Sequence, residues 1–211
     1  MSYWPKSSTG AKPLLFVHIP KTAGLSIQQW YRSTYGKFYK CMHGSLNHPV
    51  LENVNNQMES FCVVRNPYDL VYSWYRYKQQ MLEETRHRDP QEYDAWQRGF
   101  DYWLHRYFDK VNYTTDKTRP GEYNSISPSF SQLSYLKNSS GNIAVDYVLR
   151  FEKLDSDFKI IKEISGSNFD LGFTNQTRIS NSDYRKVYTV SGRILIDSVY
   201  KEDLDYFNYD F

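Results

Sequence analysis

The sequence predicts an α/β domain with a mostly parallel central sheet flanked by helices, and three observations predict it. Short continuous apolar runs, Leu14–Ile19 and Ser60–Arg65, read as strands buried on both faces. Each run meets a polar loop and then a segment with apolar residues at three- and four-residue spacing, the mark of an amphipathic helix. The alternation recurs later, with Asp146–Phe151 as strand and Leu154–Ile164 as helix, which is the βαβ pattern of a parallel sheet.

Taken in order, Pro20 ends the first strand. From Gly24 the pattern turns helical through Leu25, Ile27, Trp30, Tyr31 and Tyr35, and Gly36 suits the left-handed residue after a helix end. Lys37–Met42 is a candidate second strand, and Asn47–Gln57 a weak helix. After Ser60–Arg65, Asn66 fits an N-cap and Pro67 the first helical position. That helix runs to about Glu84 and buries Leu70, Val71, Trp74, Tyr75, Met81 and Leu82. A further helix is expected over Glu92–Phe108, with Tyr93, Trp96, Phe100, Trp103, Leu104 and Tyr107 on one face. Lys110–Pro128 reads as a long polar loop, and Ile194–Tyr200 lies in a last helix.

Length and composition fit one domain over residues 1–211, with 1–12 as a flexible N-terminus. With 40% hydrophobic and 24% charged residues the chain is globular. A net charge of +2 gives no field for nucleic acid, so an anion site must be local. Met1–Lys12 is polar without a signal-peptide pattern, and Leu14–Ile19 is too short to span a bilayer. A cytoplasmic protein is expected, with Cys41 and Cys62 as free thiols. The 20 tyrosines admit two readings, an aromatic core or a surface that stacks on sugar rings.

The chemistry concentrates in two strand–loop–helix segments. In Phe16-Val17-His18-Ile19-Pro20-Lys21-Thr22-Ala23-Gly24-Leu25-Ser26 the amides at a helix start point toward the loop and favour an anion. Lys21 adds a charge, Thr22 and Ser26 add hydroxyls, and Gly24 permits close backbone approach. The cradle is P-loop-like, but it lacks the early glycine and the Gly-Lys-Ser/Thr order of a Walker A loop. In the second segment, Arg65 stands at the carboxyl end of its strand, where open α/β sheets bind ligands. Its planar fork suits a bidentate phosphate contact, and Ser73 lies on the polar face of the next helix.

Together these segments resemble the PAPS-dependent sulfotransferases, in particular the carbohydrate-type branch called sulfotransferase family 2 (PAPS is 3′-phosphoadenosine-5′-phosphosulfate). In that family a Lys-Thr-Ala/Gly-Gly-Thr-Ser loop holds the 5′-phosphosulfate and an Arg-Asn-Pro…Ser segment holds the 3′-phosphate. The resemblance assigns donor binding to Lys21, Thr22, Ala23, Gly24, Leu25, Ser26, Arg65 and Ser73. Leu25 departs from the family's threonine and removes one hydroxyl contact. Ser182-Asp183-Tyr184-Arg185 resembles a later Tyr-Arg element and adds Arg185 as a nucleotide contact. Asp146-Tyr147-Val148-Leu149-Arg150-Phe151-Glu152 resembles the family's Asp-hydrophobic-Arg-Phe-Glu strand. The resemblance implies sulfuryl transfer to an acceptor hydroxyl, with a saccharide as acceptor, adenosine 3′,5′-bisphosphate as product and no metal.

Such transfer asks for in-line positioning, charge stabilisation and a base. Lys21 would stabilise charge on the leaving phosphate oxygen. The base falls among five histidines, and His43, in Lys40-Cys41-Met42-His43-Gly44, is chosen because it stands at the end of the candidate second strand and the resemblance implies a histidine between the two donor segments. His48 is the runner-up, and His18 reads as a packed histidine inside the first strand. Cys41, His43 and His48 match no common zinc spacing. A nucleotide kinase and a non-catalytic nucleotide-binding module are the competing readings.

Overall fold

The structure, a computed structural model, describes residues 11–36, 58–85, 90–113, 131–172 and 183–211. The candidate strand Lys37–Met42, the weak helix Asn47–Gln57, Cys41, His43, His48, His87 and Ser182 lie outside the described residues. The described residues divide into two compact units, one of 11–36, 58–65 and 132–172, the other of 66–85, 90–113, 131 and 183–211.

The first unit carries the sheet. Strands β1 (Leu15–Val17), β2 (Ser60–Val64) and β3 (Tyr147–Arg150) lie side by side in that order, all parallel. Phe16 stands opposite Phe61, and Cys62 opposite both Val17 and Val148. Every residue of β1 and β2 is buried, as the unbroken apolar runs require. The strands are shorter than the runs: His18 and Ile19 lie beyond β1, and Phe151 has already entered a 3₁₀ turn, Phe151–Lys153. Asp146 sets the register between β2 and β3 by accepting hydrogen bonds from the Ser60 amide (2.7 Å) and hydroxyl (2.8 Å).

Helices α1 (Gly24–Tyr35), α5 (Gln132–Leu136) and α6 (Leu154–Ser165) belong to this unit. The spacing of Ile27, Trp30, Tyr31 and Tyr35 puts them on one face of α1, and all four are buried. Trp30 meets Tyr31, Tyr35 and Phe158 edge-on, at ring centroids of 5.2, 5.9 and 5.1 Å. The polar tips stay satisfied: Trp30 Nε1 donates to the Phe169 carbonyl (3.1 Å), Tyr31 to that of Leu14 (2.8 Å) and Tyr35 to that of Lys12 (2.8 Å). These tyrosines match the core reading. Gly36 ends α1 in the left-handed region (φ 70°), its amide bonded to the Arg32 carbonyl. Ala11 and Lys12, placed by the sequence in a flexible start, are held here: Ala11 is buried, and the Lys12 amide bonds the Ser165 carbonyl (2.8 Å). The Cys62 thiol is buried in β2, where burial pushes its pKa far up and leaves it unreactive.

The second unit is helical: α2 (Pro67–Thr85), α3 (Pro90–Gln97), α4 (Phe100–Tyr113), α7 (Val190–Val199) and α8 (Lys201–Phe207), with a 3₁₀ turn at Tyr184–Lys186. Asn66 caps α2 as expected, its Oδ1 accepting the Tyr68 amide (3.1 Å). The helix expected over Glu92–Phe108 is two helices, because Gly99 takes φ 97° and breaks the ladder. Helix α4 then continues through Lys110–Tyr113, which the sequence assigns to the loop; 114–128 lie outside the described residues. Rings of Tyr72, Tyr75, Trp96, Phe100 and Trp103 pack between α2, α3 and α4. The last helix starts earlier than Ile194, at Val190, where the Thr189 hydroxyl accepts the Gly192 amide (3.0 Å), and α8 comes directly after it. Among the described residues no helix is long and apolar enough to cross a membrane.

Trp30 is the largest side chain in the first unit's core. Trp30→Ala is expected to lower unfolding free energy by about 3–5 kcal/mol in chemical denaturation, through lost burial and an uncollapsed cavity. A change under about 1 kcal/mol would mean that the α1–α6 packing is not what holds this unit.

Candidate active site

The carboxyl ends of β1 and β2 are neighbours in the sheet, so the loops that leave the two strands start side by side. After β1, Lys21 and Ala23 both stand in the left-handed region (φ 67° and 66°), with Thr22 between them outside it. Neither is glycine, so each conformation costs about 1 kcal/mol or more. Backbone that alternates in this way turns successive amides toward one concavity, an anion-binding nest. Ala23 makes no side-chain cap bond at the start of α1, and a helix start is a place that favours an anion.

Thr22 braces the loop. It is fully buried, and its hydroxyl donates to the Ile19 carbonyl (2.7 Å). The sequence offers that hydroxyl to the phosphate; in the structure its proton is given to the Ile19 carbonyl inside the loop. Gly24 has a second reason for lacking a side chain. A Cβ there would fall 1.8 Å from Nε2 of His18, so the imidazole occupies the space the glycine opens. His18 is 5% exposed and stacks on Phe16 at 5.2 Å, a packed histidine as expected. Ser26 is buried, and Leu25 is 56% exposed on the first turn.

Arg65 joins this cradle directly. Its Nη1 donates to the Lys21 carbonyl (3.0 Å), and its guanidinium lies over the Phe151 ring at 4.0 Å. The buried Gln132 amide grips the Arg65 backbone at both groups, accepting from N–H (2.9 Å) and donating to C=O (2.8 Å). Burial, and then the Arg65 charge, lower the Lys21 ammonium from its usual 10.5 to about 8. Between these two values the unfolded chain binds the extra proton, so without ligand this group's contribution to stability rises with pH across that window. An anion in the cradle reverses the preference by favouring charged Lys21. The nest, the uncapped helix start and two adjacent cations therefore fit a phosphate-type anion.

A family model described as the sulfotransferase family matches residues 8–210. The chain belongs to the sulfotransferase family. The match runs through both units and agrees with the α/β fold and its P-loop-like cradle. No curated protein and no solved structure matched the chain. Membership makes the protein a PAPS-dependent transferase and sets aside the nucleotide-kinase reading.

Of the residues expected in this sulfotransferase's site, Lys21, Thr22, Ala23, Gly24, Leu25, Ser26 and Arg65 come together in the first unit. Ser73 is half-buried on α2, and Arg185 sits in the 3₁₀ turn, stacked on the Tyr184 ring at 4.5 Å; both belong to the second unit. His43 lies outside the described residues. No group of metal-ligating side chains occurs among the described residues. Three contributors escape the sequence reading. Phe151 reads there only as part of a strand, although its place in the Arg-Phe-Glu run is a signal. Gln132 carries no motif and stands 67 residues from Arg65. His18 is legible as packed, but not as the wall against Gly24.

Gly24→Ala is expected to cost about 1–3 kcal/mol in denaturant unfolding, because the methyl group must displace a buried imidazole. The same change in a His18→Ala background should cost clearly less. Equal costs in both backgrounds would show that His18 is not what excludes a side chain there.

Proposed function

We propose that this sulfotransferase moves a sulfuryl group from PAPS to a saccharide hydroxyl and releases adenosine 3′,5′-bisphosphate without using a metal. The observation that carries the donor half is the pairing of Lys21, its charge disfavoured by burial, with Arg65 beside it in an amide-lined cradle. Such a pair binds a multiply charged anion better than a neutral ligand, and the family supplies the anion.

In the proposed step the sulfur–oxygen bond to the 5′-phosphate breaks and one to the acceptor oxygen forms. The acceptor proton passes to His43. Lys21 holds the charge that develops on the departing phosphate oxygen, which stabilises the transition state more than the ground state. The family resemblance assigns the 3′-phosphate to Arg65 and Ser73, a nucleotide contact to Arg185, and the 5′ end to the Lys21–Ser26 loop. The saccharide acceptor rests on the resemblance of the two segments within Phe16–Tyr75 to the carbohydrate-type branch.

The test is turnover of labelled PAPS with a panel of saccharides, a tyrosine peptide and a sterol, together with nucleotide binding. Sulfate on a saccharide is the expected result. Label on the peptide or sterol alone would refute the acceptor, and nucleotide binding with no turnover on any acceptor would favour a non-catalytic module. On the accepted substrate, His43→Ala should lower kcat by about 10²–10⁴-fold with nucleotide affinity unchanged. Wild-type activity should fall as pH drops through about 6.5, where a histidine base takes up its proton. A dead His48→Ala beside an active His43→Ala would move the base to His48.

A further inference from the structure

Within the second unit, the segment after α8 is fastened to two elements that the proposed function assigns to the donor. The Asn66 side chain works in two directions. Its Oδ1 caps α2 at the Tyr68 amide (3.1 Å), and its Nδ2 donates to the Asp210 carbonyl (2.7 Å). The next residue, Phe211, sits in a ring cluster. Tyr68 meets it edge-on at 4.9 Å, Tyr188 at 5.8 Å and Tyr184 at 6.1 Å, and the Arg193 guanidinium lies over its face at 4.0 Å. The cluster closes on itself, since Tyr68 and Tyr188 also meet edge-on at 5.4 Å and the Tyr188 hydroxyl donates to the Tyr68 carbonyl (2.9 Å).

Two of these partners matter for function. Tyr68 stands in the first turn of α2, the helix that carries Ser73 and starts directly after the Arg65-Asn66 pair. Tyr184 is the neighbour of Arg185 in the 3₁₀ turn, and its ring is also the surface on which the Arg185 guanidinium lies. Phe211 therefore bridges the α2 start and the Arg185 turn with one rigid ring. A phenylalanine has no polar tip to satisfy, so its energy here is packing and the cation–π contact alone.

We propose that Phe211, with Asp210 anchored on Asn66, is a positioning residue that sets the spacing between the Arg185 turn and the start of α2, and so the recognition of the donor's 3′-phosphate. The inference rests on the proposed assignment of Ser73 to that phosphate and of Arg185 to the nucleotide. Phe211 itself touches neither residue's phosphate-binding atoms; it acts through Tyr184 and Tyr68.

A purely structural role and a positioning role differ in what they do to discrimination. The measurement is the affinity of the full chain for adenosine 3′,5′-bisphosphate and for adenosine 5′-monophosphate, which lacks the 3′ group. Wild type should prefer the bisphosphate. Phe211→Ala should weaken the bisphosphate by about tenfold, the scale of a lost aromatic contact, and leave the monophosphate within about twofold. Phe211→Tyr should restore the preference. Should Phe211→Ala not fold, Asn66→Ser carries the comparison, because it keeps an uncharged capping oxygen and loses the amide donor to Asp210. Parallel weakening of both nucleotides, or no change in either, would overturn the positioning role. A wild type with no preference for the bisphosphate would overturn the 3′-phosphate assignment and this inference with it, whereas a wild-type preference that survives Phe211→Ala and Asn66→Ser would sink the inference alone.

Discussion

Two cationic residues, Lys21 and Arg65, meet at the carboxyl end of a parallel sheet. Parallel neighbours end on the same side, and their axes lie about 4.8 Å apart, so the residues after β1 and β2 have no way to separate widely. Burial first, and then the Arg65 guanidinium, lower the Lys21 ammonium to about 8. The cradle loop adds to the crowding. Thr22 turns its hydroxyl inward to Ile19, and two non-glycine residues hold left-handed backbone that aims amides, further partial positive charge, at the same concavity. In the proposed function a bound anion relieves both the local strain and the charge crowding, and stability is recovered when it binds.

The supports of Arg65 are spread along the chain. Gln132 fastens its backbone, Phe151 supports the guanidinium face, and the Lys21 carbonyl takes one N–H. A guanidinium so fixed has lost its side-chain entropy before a ligand arrives, which favours tight and oriented phosphate contact. The same economy appears in the tyrosines. Tyr31 and Tyr35 bury their rings in the core and send their hydroxyls to the Leu14 and Lys12 carbonyls, which ties α1 to the chain entering β1.

Periodicity makes the strands, α1 and the Asn66–Pro67 helix start legible, because each is set by local burial and capping. The Gly99 break is hidden because Phe100, Trp103 and Leu104 continue the apolar stripe across it; a positive φ at one glycine leaves no mark on the pattern. The start of β3 is readable, but its end is overrun: Phe151 is apolar in sequence and serves as a platform for a cation in space. In the site, charge and spacing identify Lys21 and Arg65. The use of Thr22 as a brace, the His18 wall at Gly24 and the Gln132 clamp depend on contacts between residues distant in sequence or on which way a hydroxyl turns, and neither is written in a motif.

The central claim, that the cradle is a site where burial and Arg65 disfavour the charge on Lys21 until a phosphate anion restores it, is tested most directly by proton uptake on binding. Titrating adenosine 3′,5′-bisphosphate calorimetrically at about pH 8.5 in buffers of different ionisation enthalpy counts protons taken up per nucleotide. Lys21 near 8 is largely neutral at that pH and must charge when the anion arrives, so uptake of most of one proton is expected, with affinity falling as pH rises further. The uptake should vanish in Lys21→Met. Binding with no proton uptake in the wild type, or the same uptake in Lys21→Met, would contradict the account.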